Sequence, residues 1–232
     1  MRLHVCLRLS LAQVAEARYE GAMQIWDITR TLSAELPPWP GDVQFSYKAN
    51  GRMAEGGLVN SGSINMSLHN GTHCDAKFHF DDNGWTMEQA KLERYFGPAV
   101  VVDLSERYAG GEFPQIEIAQ LENVAIQPRL LLKTAVWRDP HVFPQRIPVL
   151  APGVAEWMKS KGVTLLGLDV PSVDEMDAKE LVNHNALGAA DINIVESLEL
   201  SAVAAGRYHF VALPLKIAGG DGSPLRAMLW RD

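Results

Sequence analysis

Beyond residue 22 the apolar positions fall into short runs divided by turn-forming clusters, and their period changes along the chain. The runs Pro98-Ala-Val-Val-Val-Asp103, Leu130-Leu-Leu-Lys-Thr134, Val163-Thr-Leu-Leu-Gly-Leu168 and Tyr208-His-Phe-Val-Ala-Leu213 are continuous and of strand length. That is the pattern of strands buried on both faces. Ile25 to Ile28 predicts a further short strand. From Ser63 to His69, Ile64, Met66 and Leu68 alternate with Asn65, Ser67 and His69. This period of two predicts a half-buried strand with one core face and one polar face. Pro152 to Gly162 reads as a helix, with proline in the first turn and glycine at the stop; Gln115 to Val124 and Asp177 to Asn183 are weaker helical patterns. The Pro37-Pro38-Trp39-Pro40-Gly41-Asp42 cluster is loop, because its prolines fix φ and remove backbone donors. No internal repeat or low-complexity linker interrupts the pattern, so α and β elements mix within one compact unit.

Composition adds limits rather than a function. The length of 232 residues suits one domain, and 47% hydrophobic with 21% charged residues is ordinary for a globular chain. A net charge of -7 without a dense Lys/Arg run argues against nucleic acid as a partner. No segment approaches the ~20 apolar residues needed to span a bilayer, so no membrane partner is expected. The two cysteines, Cys6 and Cys74, lie in different contexts and imply no disulfide framework, which points to the cytoplasm. Residues 1–22 begin basic and apolar, but Arg8 breaks the apolar run, so they read as an N-terminal extension rather than a signal peptide. The domain is taken as residues 23–232, with Met23 a candidate start.

The chemistry concentrates in one place. Of seven histidines, His69, His73 and His79 fall within eleven residues, together with Asp75. Imidazole nitrogen and carboxylate oxygen suit zinc, manganese or iron, and a carboxylate can bridge two ions where an imidazole nitrogen cannot. His69 and His73 could share a helix face, but Asn70-Gly71-Thr72 favours a turn. An extended segment from Thr72 to Phe80 would instead direct His73, Asp75 and His79 to one face, offering three ligands and a neighbouring acid/base. Cys74 has the opposite parity and reads as a small core residue. A second polar stretch, Gly167 to Asp174, follows a buried strand and precedes His184 and Glu196. Taken singly, His184 and Glu196 read as solvated or capping residues. Gly219-Gly220-Asp221-Gly222 lacks any nucleotide-binding spacing and reads as a tight loop.

The run His-x-Gly-Thr-His-x-Asp-Ala at positions 69 to 76, with His79-Phe80 behind it, resembles the cyclase-like metal-dependent hydrolase family that includes bacterial kynurenine formamidases and isatin hydrolases. Ile25-Trp-Asp-Ile-Thr29, Trp39-Pro-Gly-Asp42, Leu168-Asp-Val-Pro-Ser-Val-Asp174, and Leu213-Pro-Leu215 through Gly219-Gly220-Asp221-Gly222 to Arg226-Ala227 extend the resemblance over nearly the whole chain from Met23. It implies an α/β fold, a single mixed-sheet swivelling β/β/α domain, usually assembled as a homodimer. It implies that His69, His73 and Asp75 hold one divalent ion, that Asp75 also reaches a second, and that His184 and Glu196 complete the second site, Glu196 bridging the pair. Two ions per chain are therefore expected, zinc first and manganese as the alternative. His79 matches the family's catalytic acid/base, and Trp39 matches an aromatic that contacts substrate. Lys77 departs from the pattern, standing where the family usually has proline.

The reaction so implied is hydrolysis of N-formyl-L-kynurenine to L-kynurenine and formate in tryptophan breakdown, a metal-dependent amidohydrolase acting on a linear amide. Its rivals are a cyclic-amide hydrolase acting on isatin or a related ring, and a metal-binding structural protein without catalysis. A retained acid/base and an open coordination position separate the enzymes from the structural protein.

Overall fold

The computed structural model describes residues 23–231, so the expected extension over 1–22, including Cys6, lies outside the described residues. Nine strands form one mixed sheet in the order β1-β11-β9-β5-β6-β7-β8-β4-β10. In chain order these are β1 (Gln24–Asp27), β4 (His73–Asp75), β5 (Phe96–Asp103), β6 (Arg129–Lys133), β7 (Leu165–Leu168), β8 (Asn193–Glu196), β9 (Gly206–Val211), β10 (Gly222–Pro224) and β11 (Met228–Arg231). A separate ribbon pairs β2 (Ser46–Gly51) with β3 (Ser61–Asn65). The mixed α/β architecture expected from the sequence is the one found.

The continuous apolar runs become the centre of the sheet. β5, β6, β7 and β8 pair in parallel, and their alternate residues enter opposite cores. Val100, Val102, Leu130, Leu132, Leu166, Leu168 and Ile194 face one, while Ala99, Val101, Leu131, Leu165 and Val195 face the other. Helix α2 (Val154–Ser160) and helix α3 (Val182–Ala189) lie on the first face, after the short α1 (Ser105–Tyr108). α2 buries Val154, Ala155 and Met158, the spacing of one helix stripe, and stops before Gly162 at φ +79°. The second core is closed by Tyr208 and Phe210 of β9, Leu229 of β11 and Cys74 of β4.

Four sequence expectations are corrected. The strand expected over Ser63 to His69 ends at Asn65 and has no core face: it pairs only with β2, and Ile64, opposite Tyr47, is 58% exposed. Detached from the main sheet, the ribbon packs its apolar side against nothing among the described residues. The helix expected over Asp177 to Asn183 begins at Val182, because the Asp174 carboxylate accepts hydrogen bonds from the Asn183 and His184 amides and fixes the first turn there. The weak pattern from Gln115 to Val124 yields only a 3₁₀ turn at Ile118–Gln120, where Glu117 and Gln120 close a capping box. The extended segment from Thr72 to Phe80 is a strand only at His73–Asp75; Lys77–His79 turns into 3₁₀, so His79 leaves the parity of the strand. Among the described residues no helix is long and apolar enough to cross a membrane.

Leu131 lies at 0% exposure in the middle of the sheet. Leu131→Ala is expected to lower the unfolding free energy by about 2–5 kcal/mol in urea titrations, the usual cost of a large buried truncation. A loss within ~0.5 kcal/mol would show that this strand is not central.

Candidate metal centre and active site

The histidine segment turns sharply before it enters the sheet. Gly71 takes φ +70°, and a Cβ there would lie 2.9 Å from Leu32 Cδ2 and 3.1 Å from Leu36 Cδ2, so the turn needs glycine. β4 then runs antiparallel between β8 and β10, with His73 opposite Glu196 and Asp75 opposite Gly222. Cross-strand pairing thus joins residues separated by more than a hundred positions. Glu196 is held further by the Val173 amide, which donates to Oε1 at 2.9 Å. The chain breaks direction just after it, at Ser197 with φ +57°, and the Ser197 carbonyl accepts from Thr72 Oγ1 at 2.7 Å.

His184 enters from α3. Asp174 accepts from its Nδ1 at 2.7 Å as well as from two amides of the first turn, so one carboxylate both starts the helix and aims the ring. The remaining Nε2 faces Asp75 Oδ2 at 3.5 Å and Glu196 Oε1 at 3.8 Å. His73 is oriented in the same manner: its Nδ1 donates to the Gly71 carbonyl at 2.8 Å, and its Nε2 faces Glu196 Oε2 at 3.3 Å and Asp75 Oδ1 at 3.5 Å. His69 Nδ1 lies 3.1 Å from Asp75 Oδ1. Two groups that share Asp75 result, His69-His73-Asp75 and Asp75-His184-Glu196, and a third, His69-His79-Asp221, overlaps the first at His69; in each the ligand atoms lie within 4.8 Å of one another.

This arrangement fits divalent metal. Among the described residues, His73 Nε2 and Asp75 Oδ2 are buried without a hydrogen-bond partner. With Nδ1–H committed elsewhere, the ring nitrogens of His73 and His184 present lone pairs to carboxylate oxygens, and acceptors facing acceptors need a cation or a proton between them. Asp75 turns one oxygen to each group, the disposition of a bridging ligand.

Protons answer this demand in the metal-free chain. Burial pulls the His73 and His184 pKa values down, but their carboxylate partners outweigh it and hold both at about 10; His69, between Asp221 and Asp75, stands at about 9. Burial raises the Asp75 carboxyl, yet the His184, His69 and His73 imidazoles around it hold it well below the ordinary range. Glu196 is pushed up by burial and by the Asp75 charge, because two buried carboxylates so close resist ionising together. His79 is lowered, first by burial.

The cluster opens into a cavity of about 400 Å³ whose wall also carries Trp39, Trp137, Phe143 and His79. A larger cavity of about 580 Å³ lies behind Asp174 and holds none of the ligand candidates. Trp39 and Trp137 meet Phe143 edge-on, with ring centroids 5.9 and 5.5 Å apart. All seven sequence-selected residues (Trp39, His69, His73, Asp75, His79, His184 and Glu196) therefore converge. Lys77 lies apart from this cavity, with Nζ paired to Asp81 at 3.0 Å. Cys74 packs in the core, its Sγ 3.9 Å from Met87 Sδ.

Sequence reasoning missed Asp174, Asp221, Trp137 and Phe143. Asp174 sat in the polar stretch noted after β7, and Asp221 in the glycine-rich loop read as structural. The aromatic pair carried no sequence signal, since single aromatics in a loop have no period.

The "Putative cyclase" family model matches residues 26–175. A kynurenine formamidase of Geobacillus thermodenitrificans is 42% identical over 208 residues, covering 89% of this chain and 98% of that protein. A predicted metal-dependent hydrolase from Bacillus stearothermophilus superposes with a TM-score of 0.75 at 27% identity, covering 90% of this chain and 99% of the other. Isatin hydrolase A from Labrenzia aggregata, bound to benzyl benzoate, gives 0.80 at 23% identity over 95% of this chain and 98% of its own, a likeness of fold.

Because an ion must displace protons held at about 9 to 10, adding Zn²⁺ or Mn²⁺ to metal-stripped protein near neutral pH should release protons, and affinity should rise with pH. Calorimetry in buffers of different ionisation enthalpy measures the release. Binding without proton release, or with pH-independent affinity, would contradict the site as drawn. The same raised pKa values contribute stability to the metal-free chain below pH ~6.5, the unfolded histidine value, which is lost as pH rises through about 10.

Proposed function

Since this chain belongs to the cyclase family, we propose that it hydrolyses N-formyl-L-kynurenine to L-kynurenine and formate, a step in tryptophan breakdown. The observation that carries the reading is the convergence of a buried histidine-carboxylate cluster and three aromatic rings on one cavity. Such a cavity suits a substrate with an aryl ring beside a scissile amide. His69, His73 and Asp75 are assigned to one divalent ion, and Asp75, His184 and Glu196 to a second, with zinc the first choice and manganese the alternative. When bound, such ions supply Lewis acidity that polarises a carbonyl and makes a hydroxide nucleophile available near neutral pH.

The chain's own residues do the rest. Trp39, Trp137 and Phe143 enclose the aryl ring and exclude water around the amide. His79 carries a proton to the departing nitrogen, because an expelled arylamide anion is too basic to leave unprotonated. Asp174 keeps the His184 ring in register throughout. The domain assigned to this activity is 23–232, working in the cytoplasm, as the two cysteines suggest. A homodimer is the proposed assembly, and the ribbon's exposed Tyr47, Leu58, Val59 and Ile64 are apolar surface of the kind assembly covers. Light scattering of purified protein should give twice the chain mass, and a monomer would exclude this.

The decisive experiment compares two histidine variants on N-formyl-L-kynurenine, with isatin as the competing substrate. His79→Ala should keep about two ions per chain while kcat falls by ~10²–10⁴, the usual contribution of a positioned acid or base. His73→Ala should lose metal and turnover together. Metal loss from His79→Ala would make His79 a ligand, and wild-type preference for isatin would replace the formamide reading.

A further inference from the structure

The loop Gly219-Gly220-Asp221-Gly222 has no part in the assignments above, yet it is built into the site. Its backbone is tied on both sides: the Gly220 carbonyl accepts from the Met87 amide at 2.8 Å, the Asp221 carbonyl accepts from the Ala76 amide at 2.9 Å, and Gly222 pairs with Asp75 in the sheet. Gly222 also lies against the His69 ring. A Cβ there would stand 2.8 Å from His69 Cε1 and 3.0 Å from Nε2, so glycine is required for the ring to occupy its place.

The Asp221 side chain then meets two imidazoles with one oxygen. Its Oδ2 lies 3.0 Å from His69 Nε2 and 3.6 Å from His79 Nδ1, and the two rings stand 4.1 Å apart, tilted by 35°. A carboxylate only accepts hydrogen bonds. When His69 acts as a ligand through Nδ1, its remaining proton sits on Nε2 and is given to Asp221, and the Nδ1 lone pair is directed at the space beside Asp75 Oδ1. His79 Nδ1, at 3.6 Å, faces the same oxygen, which turns its Nε2 away from Asp221.

We propose that Asp221 is a positioning residue that fixes the tautomer and orientation of His69 and His79 together, so that one carboxylate serves both metal holding and proton transfer. The inference rests on reading His69 as a ligand and His79 as the proton carrier. It assigns to the glycine loop the outer carboxylate that ligating histidines commonly require, worth ~10–100-fold in metal affinity or activity. Asp221 lines the cavity, but its side-chain contacts are to the imidazoles, so in this proposal its loss belongs in kcat and metal affinity and not in KM.

The test compares the full-length wild type with Asp221→Asn, which keeps the shape, and Asp221→Ala. Two readouts are taken: the chelator concentration that removes half of the metal from the as-isolated protein, and kcat with KM for N-formyl-L-kynurenine. The expected result for both variants is the wild-type number of ions at saturation, affinity weakened by ~10–100-fold, kcat reduced by a similar factor, and KM changed less than ~3-fold. Unchanged chelator sensitivity together with unchanged kcat would overturn the proposal. So would loss of an ion at saturating Zn²⁺ or Mn²⁺, which would make Asp221 a ligand, or an effect confined to KM, which would make it a substrate contact. The chelator arm uses no substrate, so a wild type inactive on formamides would sink the functional reading while leaving Asp221 decided by metal affinity.

Discussion

Two carboxylates, Asp75 and Glu196, are buried side by side at 2% and 3% exposure, and the rest of the site answers to them. Burying one charge is costly and burying two like charges costs more, unless opposite charge is supplied at close range. His73, His184 and His69 supply it as imidazolium in the metal-free chain, which is why their pKa values stand so high. Divalent ions supply it better, since each brings two charges and accepts the nitrogen lone pairs as well. The buried carboxylates are thus the source of the cluster's fit for divalent metal.

Holding such a cluster requires backbone rather than flexible side chains. β4 contributes His73 and Asp75, and its neighbours β8 and β10 bring Glu196 and the Asp221 loop to the same level of the sheet. The parallel strands at the centre, with both faces buried, form the rigid body on which these short flanking strands register. α3 is started by the same Asp174 that orients His184, so a change at its cap would move a proposed ligand directly.

The aromatic wall depends on a second buried charge system. Asp169 accepts from the Thr134 and Ala135 amides and from Thr134 Oγ1 at 2.6 Å, holding Ala135 at φ +54° where the chain leaves β6. Two residues later Trp137 turns toward the cavity, and the buried Arg30 guanidinium stacks on its ring at 4.1 Å. Arg30 is in turn paired with Glu199, shortly after Glu196. The substrate wall and the metal cluster are therefore anchored through the same few segments, the ends of β6, β7 and β8.

The central strands were legible in the sequence because burial on both faces demands unbroken apolar runs, and Val100 to Val102 or Leu130 to Leu132 admit little else. The cluster from His69 to His79 was legible because metal chemistry restricts residue type, and local crowding of those types is visible without a fold. His184 and Glu196 were not legible from spacing; only likeness to a family singled them out, since a lone histidine on a short helix and a lone glutamate at a strand end have many other uses. The ribbon misled because alternation records an amphipathic strand and not what covers it. The helix over Asp177 to Asn183 was misplaced because its start is set by the Asp174 carboxylate, a capping contact that periodicity does not report. Residue types and the core strands were thus fixed by the one-dimensional chain. Which distant groups meet, which nitrogen of each histidine stays free, and that one Asp221 oxygen faces two rings were decided by strand pairing and, for His184, by the Asp174 cap of α3, because each depends on distances of a few ångströms between residues that the sequence holds far apart.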